Sequence, residues 1–232
     1  MTRLRARDLS VAFDGVHALD GIDIDVESGQ VLAAIGANGA GKSTLLNVLS
    51  GLTVPDRGDV WVDGTRLESR PSVFADAGVR RSYQHLRLVD RLSIDENIAL
   101  GLCGSLPRVM GIPLSRRRAT REAVATARRE VGIDDLRDRP VGQLSYGQRK
   151  RVELARVLVS APRVALLDEP LAGVQAVDRG ALSDAVRALA SRGSAVIIVE
   201  HDLTVVAELA DRALVLDAGH VARSGRTSDV LR

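Results

Sequence analysis

Aromatic rings are scarce in this chain, making up 2% of its 232 residues, and cysteine occurs once, at Cys103. So few rings argue against a surface that binds single-stranded nucleic acid by stacking its bases. A single cysteine excludes an intrachain disulfide and any multi-cysteine metal site, which suits a reducing compartment. Long hydrophobic runs are missing too. No stretch approaches the roughly 20 uninterrupted apolar residues of a membrane span, and the opening Met1-Thr2-Arg3-Leu4-Arg5 lacks an apolar signal segment. The expectation is a soluble chain that stays in the cytoplasm. Charge of either sign is hardly in excess: 32 basic against 30 acidic residues give +2, too weak a field to recruit nucleic acid over the whole surface. What the chain does have is 45% apolar residues, ample for one large α/β domain or two small lobes.

Its most informative stretch is Gly36-Ala37-Asn38-Gly39-Ala40-Gly41-Lys42-Ser43-Thr44, which fits the phosphate-cradling pattern G-x-x-x-x-G-K-[ST]. Glycines let backbone N–H groups converge on phosphates, the lysine reaches the β and γ oxygens, and a hydroxyl ligates Mg²⁺. Val31 to Ile35 before it is an apolar run of buried-strand length, and Ser43 to Leu52 after it has helical spacing. Strand, loop and helix N-terminus together predict a polyanionic guest.

Around this motif the chain alternates periods. Leu9 to Phe13, then Ile22, Ile24 and Val26, alternate apolar with polar, with Gly15 and Gly21 as punctuation, and predict an antiparallel β-layer. Phe13 reads equally as a core residue or as a ring that stacks on adenine. Val60 to Val62 and Val79 to Tyr83 read as further strands, and Pro55 to Asp59 as a turn. From Ser93 to about Val159 the pattern turns helical, with capping boxes at Ser93/Glu96 and Ser145/Gln148, an irregular connection over 106–113, and a basic segment from Ser115 to Glu130 closed by Gly132. The run Arg116-Arg117-Arg118 reads as a solvated helix face or as a contact for a partner or membrane headgroups. Val164 to Leu167 is a buried strand that delivers Asp168 and Glu169 to its C-terminal edge, where open parallel sheets bind ligands. Beside a phosphate loop, one acid can hold Mg²⁺ and the other can polarise an attacking water. A helix from Arg179 to Ala190, a buried strand from Ala195 to Val199, the segment Glu200-His201-Asp202 and a closing hairpin around Ala218-Gly219 complete the chain. His201 reads as either a structural or a catalytic histidine.

In this order the landmarks resemble the ATP-binding subunit of an ABC transporter, over essentially the whole chain. Gln84 matches the Q-loop glutamine, Leu144-Ser145-Tyr146-Gly147-Gln148 the family signature, Asp168-Glu169 the acid pair, His201 the switch histidine and Phe13 the adenine-stacking position. The resemblance implies an α/β fold: a P-loop NTPase (RecA-like) core with an N-terminal antiparallel β-layer and an inserted helical subdomain. The chain is then a single domain, residues 1–232, with the core at about 1–84 and 160–232 and the helices at about 85–159. It further implies that ATP and Mg²⁺ are bound, the metal by Ser43, Gln84 and Asp168. Glu169 would be the general base and His201 would contact the γ-phosphate. Ser145, Tyr146, Gly147 and Gln148 would grip the nucleotide of a second ATPase subunit, identical or related. The remaining partners implied are membrane permease subunits and, indirectly, an extracytoplasmic solute-binding protein, with the chain at the cytoplasmic face of the membrane.

A finer resemblance is to branched-chain amino acid importers, through Tyr83-Gln84-His85-Leu86-Arg87-Leu88, Tyr146 and Glu200-His201-Asp202. The departures from the common pattern are Ala37, where proline is common, and Gln175, where aspartate is common and which bears on communication across a dimer. The chain also stops at Arg232, shortly after the last helix signals, which reads as a truncated form or one domain of a longer polypeptide. Alternatives are a lipid or lipopolysaccharide exporter ATPase and, disfavoured by a single phosphate loop and signature, a soluble ABC protein acting on ribosomes or DNA. Leu86, Leu88 and Leu92 are expected to stand exposed beside a groove that receives an amphipathic helix of the membrane subunit, the alternative being that they pack the interface between the two lobes.

Overall fold

A computed structural model describes residues 2–102, 114–137 and 139–232. Cys103 and the connection expected over 106–113 lie outside the described residues, as do the side chains of Arg116 and Arg117.

Period-two alternation builds β1 (Thr2–Phe13) and β2 (Val16–Glu27), paired antiparallel through the Asp14-Gly15 turn. The first strand begins well before Leu9, because Leu4 and Ala6 also face the core. Gly21 does not end a strand: it lies inside β2 at φ +64°, where its N–H bonds the Ser10 hydroxyl beside a register shift. A bulge therefore stands where punctuation was expected. Next come β3 (Val31–Gly36) and α1 (Lys42–Leu49), which is shorter than its spacing predicts. The Ser50 hydroxyl bonds back to the Leu46 and Asn47 carbonyls, and its N–H to Asn47, closing the last turn. Then follow β4 (Arg57–Val62), which begins three residues early inside the expected turn, β5 (Thr65–Leu67), α2 (Pro71–Asp76) and β6 (Val79–Arg81).

Between β6 and the next described strand, the described residues form α3 (Ile94–Ala99), α4 (Leu114–Glu130) and α5 (Tyr146–Leu158), which pack on one another. Both capping boxes form, Ser93 with Glu96 and Ser145 with Gln148. Arg118 on α4 is exposed and pairs with Glu122 one turn on, as a solvated face does. The chain ends with β7 (Val164–Asp168), α6 (Ala176–Ser191), β8 (Ala195–Val199), α7 (Leu203–Leu209), β9 (Arg212–Asp217), β10 (His220–Arg226) and α8 (Thr227–Val230).

Among the described residues two sheets form, an antiparallel one in the order β2-β1-β4-β5 and a six-stranded one in the order β10-β9-β3-β8-β7-β6. The second is parallel except for its edge strand β10. Every residue of β7 and β8 is buried, so neither face meets water. Alternation divides these strands between two cores. Leu32, Ala34, Leu166 and Ile197 face the antiparallel sheet and α1, while Val31, Ala33, Leu167 and Ile198 face the helices. Register then fixes the site: Ala34 pairs with Val199 and Val199 with Asp168, so the loop after β3 and both later acids emerge at one sheet edge.

The half-buried state of Leu86, Leu88 and Leu92 corrects the expectation that they stand exposed, and Leu88 packs against the core. The buried Asn97 side chain causes this: it accepts the Val89 N–H at 2.8 Å and donates to the Val89 carbonyl at 3.0 Å, folding the segment back onto α3.

Candidate functional site: a phosphate loop facing two acids

Between β3 and α1 the chain passes close to its neighbours, and only glycine fits at both ends of the turn. A Cβ on Gly36 (φ +156°) would meet the Leu216 carbonyl at 2.3 Å, and one on Gly41 (φ +105°) the Ala18 carbonyl at 2.3 Å. Ala37, Asn38 and Gly39 form the exposed crest, closed by an Ala40 N–H to Ala37 carbonyl bond, while Ala40 itself is buried. Lys42 opens α1 and is 7% exposed. Its ammonium donates to the Gly36 and Ala37 carbonyls at 2.8 and 2.7 Å, which leaves one of three protons for a further acceptor. Burial pulls its pKa down, opposed by the charges of Glu169 and Asp168.

The cleft above the loop, about 200 Å³, is lined by Ala18, Asn38, Gly39, Gly41, Lys42, Ser43, Thr44, Gln84, Asp168, Glu169, Val199 and His201. Asp168 ends β7 buried, its N–H on the Ser82 hydroxyl at 3.1 Å and its carboxylate 3.4 Å from Arg81, which also donates to Asn47 at 2.6 Å. Burial raises the Asp168 pKa and Arg81 opposes the rise. Glu169 sits at φ +48°, a conformation that costs a β-carbon-bearing residue of order 1–3 kcal/mol and persists only where its surroundings enforce it. Its N–H bonds Val199, and one carboxylate oxygen lies 3.0 Å from His201 Nε2. The other oxygen lies 3.5 Å from the Gln84 amide nitrogen.

Ser43, Gln84 and Asp168 offer a hydroxyl, an amide oxygen and a carboxylate to this one cleft. Hard oxygen donors in small number, with substrate phosphates completing the sphere, fit Mg²⁺. Among the described residues no group of three or more His, Cys, Asp and Glu gathers as a metal cage.

The signature residues lie elsewhere. Ser145 caps α5 and accepts the Gln148 N–H, Tyr146 is half exposed, and none of Ser145, Tyr146, Gly147 and Gln148 lines the cleft. Gly147 packs so tightly on Asp178 that a Cβ would meet its carboxylate at 2.2 Å. Phe13, 52% exposed at the end of β1, also stands outside the lining. Gln175 is the N-cap residue of α6 but makes no side-chain cap bond.

Three charged residues to which the sequence reading gave no role of their own support the cleft from beneath: Arg81, Lys150 and Glu200. Lys150, 3% exposed, donates to the Glu169 carbonyl at 3.1 Å, and Glu200, 3% exposed, accepts the Leu171 N–H at 3.1 Å. A signal existed for Lys150, which falls at helical spacing with the buried Gly147, Leu154 and Val157. Burial pushes the Glu200 pKa up from 4.5 to about 6, with the Leu171 N–H opposing it. A raised carboxyl pKa means the native state holds the proton longer, so this group's contribution is fully present below pH 4.5 and is lost as pH rises through 6. Glu200→Gln should therefore remove about 2 kcal/mol of pH dependence across that window. The check is the difference in urea midpoints between variant and parent from pH 4.5 to 7, since Asp168 and Glu153 shift in the same direction in both. Parallel curves would refute it.

A family model described as "ABC transporter" matches residues 19–172. The branched-chain amino acid transport ATP-binding protein BraF of Pseudomonas aeruginosa is 32% identical, covering 98% of this chain and 92% of its own length. The hemin import ATP-binding protein HmuV of Rhodopseudomonas palustris is 35% identical, over 99% of this chain and 84% of its own. The arabinose import ATP-binding protein AraG of Azospirillum brasilense is 39% identical over 91% of this chain, yet this chain spans only 40% of that relative. Among solved structures, a nucleotide-free ATP-binding cassette from an ABC transporter superposes with a TM-score of 0.88 at 29% identity, covering 100% of this chain and 95% of that one.

Proposed function

The chain belongs to the ABC transporter family, among ATP-binding proteins of import systems, and from that premise we propose that it hydrolyses ATP in the cleft to drive import through separate permease subunits. One observation carries the reading: Lys42 and Ser43 face Asp168, Glu169, Gln84 and His201 across a single cleft. In this reading the Lys42 ammonium and the N–H groups opening α1 bind the β and γ phosphates. Glu169 accepts the proton of a water whose oxygen attacks the γ-phosphorus, while the bond to the β-phosphate oxygen breaks and ADP leaves with the electron pair. His201 and Gln84 hold the Glu169 carboxylate in place. Ser43, Gln84 and Asp168 would hold Mg²⁺, which when bound neutralises charge on the phosphate oxygens.

Ser145 to Gln148 lie outside this cleft, which supports the reading in which they grip the nucleotide of a second ATPase subunit. Phe13 offers its exposed ring to adenine. Residues 85–159 act as a helical subdomain within one ATPase domain. Similarity to BraF over nearly the full length of both chains supports branched-chain amino acids or similar small polar solutes, presented by an extracytoplasmic binding protein. Among the described residues no helix is long and apolar enough to cross a membrane, so attachment at the cytoplasmic face would run through the permease. Release of phosphate from MgATP by the purified chain, rising on reconstitution with its permease subunits, is the test; failure to bind MgATP would overturn the reading.

Permease docking has a better candidate than the leucines first expected. Two adjoining cavities run along edge strand β6, one including Leu52, Phe74 and Tyr83, the other Leu100, Gly101 and Arg156, and they share Ala75, Arg80 and Arg81. Leu52 and Leu100 are 50% and 38% exposed, the apolar anchors an amphipathic helix needs. Leu52→Asp and Leu100→Asp are expected to leave melting and ATP affinity unchanged while weakening co-purification with the permease at least tenfold. Parental capture by both would move the docking surface elsewhere.

A further inference from the structure

Beneath the cleft lies a buried charge cluster that the reaction itself does not use. Lys150 on α5 and Glu200 at the end of β8 approach the Glu169–Leu171 turn from two elements far apart in sequence. Lys150 Nζ donates to the Glu169 carbonyl, which also takes the Ala172 N–H at 3.3 Å, and Glu200 accepts the Leu171 N–H. Between these anchors the chain holds Glu169 in its left-handed conformation. Buried charges left without partners would be strongly unfavourable. Here the Lys150 charge acts favourably on Asp168, Glu153 and Glu200 together. Lys150 also lies 6.0 Å from the centre of the Tyr146 ring, which in turn packs at 3.2 Å from where a Gly173 Cβ would stand. The helix that begins with Tyr146 and the turn that bears Glu169 are thus tied at two points.

We propose that Lys150 and Glu200 are positioning residues that clamp the Glu169–Leu171 turn, so that α5 sets the orientation of the Glu169 carboxylate in its own chain. This rests on the ATPase reading above, in which α5 presents Ser145 to Gln148 to the nucleotide of a second subunit. Lys150 then links the nucleotide gripped by α5 to the base acting on the chain's own nucleotide, and the two sites are coupled without any contact between them. Glu200 holds the far side of the turn fixed while α5 moves.

The test compares the full-length parent with Lys150→Met, Glu200→Met and Glu200→Gln, the last of which keeps an oxygen for the Leu171 N–H. Both methionine variants should lower kcat at least tenfold with KM for MgATP within threefold. Glu200→Gln should recover at least a third of the parental kcat. In nucleotide-free protein, hydrogen exchange of the peptide spanning 169–174 should accelerate at least tenfold in the methionine variants alone. Parental kcat and exchange in both, a KM that rises in step with the loss of kcat, or a Glu200→Gln as impaired as Glu200→Met would each overturn the clamp. If one methionine variant does not fold, the other is judged by the same criteria. Loss of folding in both makes the cluster purely structural and refutes the proposal. A parent that hydrolyses no ATP refutes the ATPase reading instead, and the exchange measurement still decides the clamp.

Discussion

Lys42→Ala is expected to abolish tight MgATP binding while leaving the fold intact. The ammonium is held at the head of α1 by two loop carbonyls, at 2.8 and 2.7 Å, and is almost fully buried. Alanine removes the one cation of the loop from a cleft that also contains Asp168 and Glu169, so incoming phosphates would face two carboxylates with only backbone dipoles and Mg²⁺ to compensate. Truncating one member of a desolvated, hydrogen-bonded charge pair costs roughly 2–5 kcal/mol, or about thirtyfold to several thousandfold in affinity. Stability should change little, because burial of this charge is itself unfavourable and already lowers its pKa. Arginine should not rescue binding, since its planar fork cannot take the place of a compact ammonium against the Gly36 and Ala37 carbonyls. Isothermal titration with a slowly hydrolysed ATP analogue, next to a thermal melt of each variant, measures both effects. An unchanged affinity would remove the phosphate-loop assignment.

What could be read in the sequence, and what could not, follows from how local each feature is. The phosphate loop, the buried strands β3, β7 and β8 and both capping boxes depend on spacing within a dozen residues, so motif and period reveal them. The meeting of Lys42 with Asp168 and His201 was legible only through the order of landmarks, because strand register brings them to one edge. Arg81 was invisible for the same reason. It comes to Asp168 because β6 pairs with β7, placing Arg81 opposite Leu166 two residues before that acid. No local rule marks Glu169 as a residue at positive φ, since the turn is held by Lys150 on α5 and by Val199 and Glu200 at the end of β8, two places far from it in the chain. Leu86, Leu88 and Leu92 misled because a junction between strand and helical composition suggests a groove with exposed anchors, whereas a single buried asparagine on the next helix draws them in. Buried polar residues of this kind override local pattern when all their hydrogen bonds are met.

Glu169→Gln should bind MgATP about as tightly as the parent and hydrolyse it 10²- to 10⁴-fold more slowly, the range over which a positioned general base contributes. The amide matches the carboxylate in shape, and its oxygen can still accept from His201 Nε2, which lies 3.0 Å from Glu169. The backbone clamp from Lys150 acts on the Glu169 carbonyl and is untouched by the substitution. What is lost is the ability to take a proton from water. Loss of one negative charge beside Lys42 and Asp168 should if anything strengthen phosphate binding, because Glu169 acts on both groups electrostatically. Binding and turnover therefore move apart in this variant, whereas in Lys42→Ala they fall together. If two copies close on two nucleotides, the variant should accumulate as a dimer on a sizing column when MgATP is present and revert when the nucleotide is removed. Phosphate release, nucleotide affinity and elution volume measured on one preparation decide among the outcomes. Turnover near the parental rate would take the base role from Glu169. Slow turnover with equally weakened binding would make Glu169 a residue that shapes the cleft, leaving His201 as the nearest group able to accept the proton.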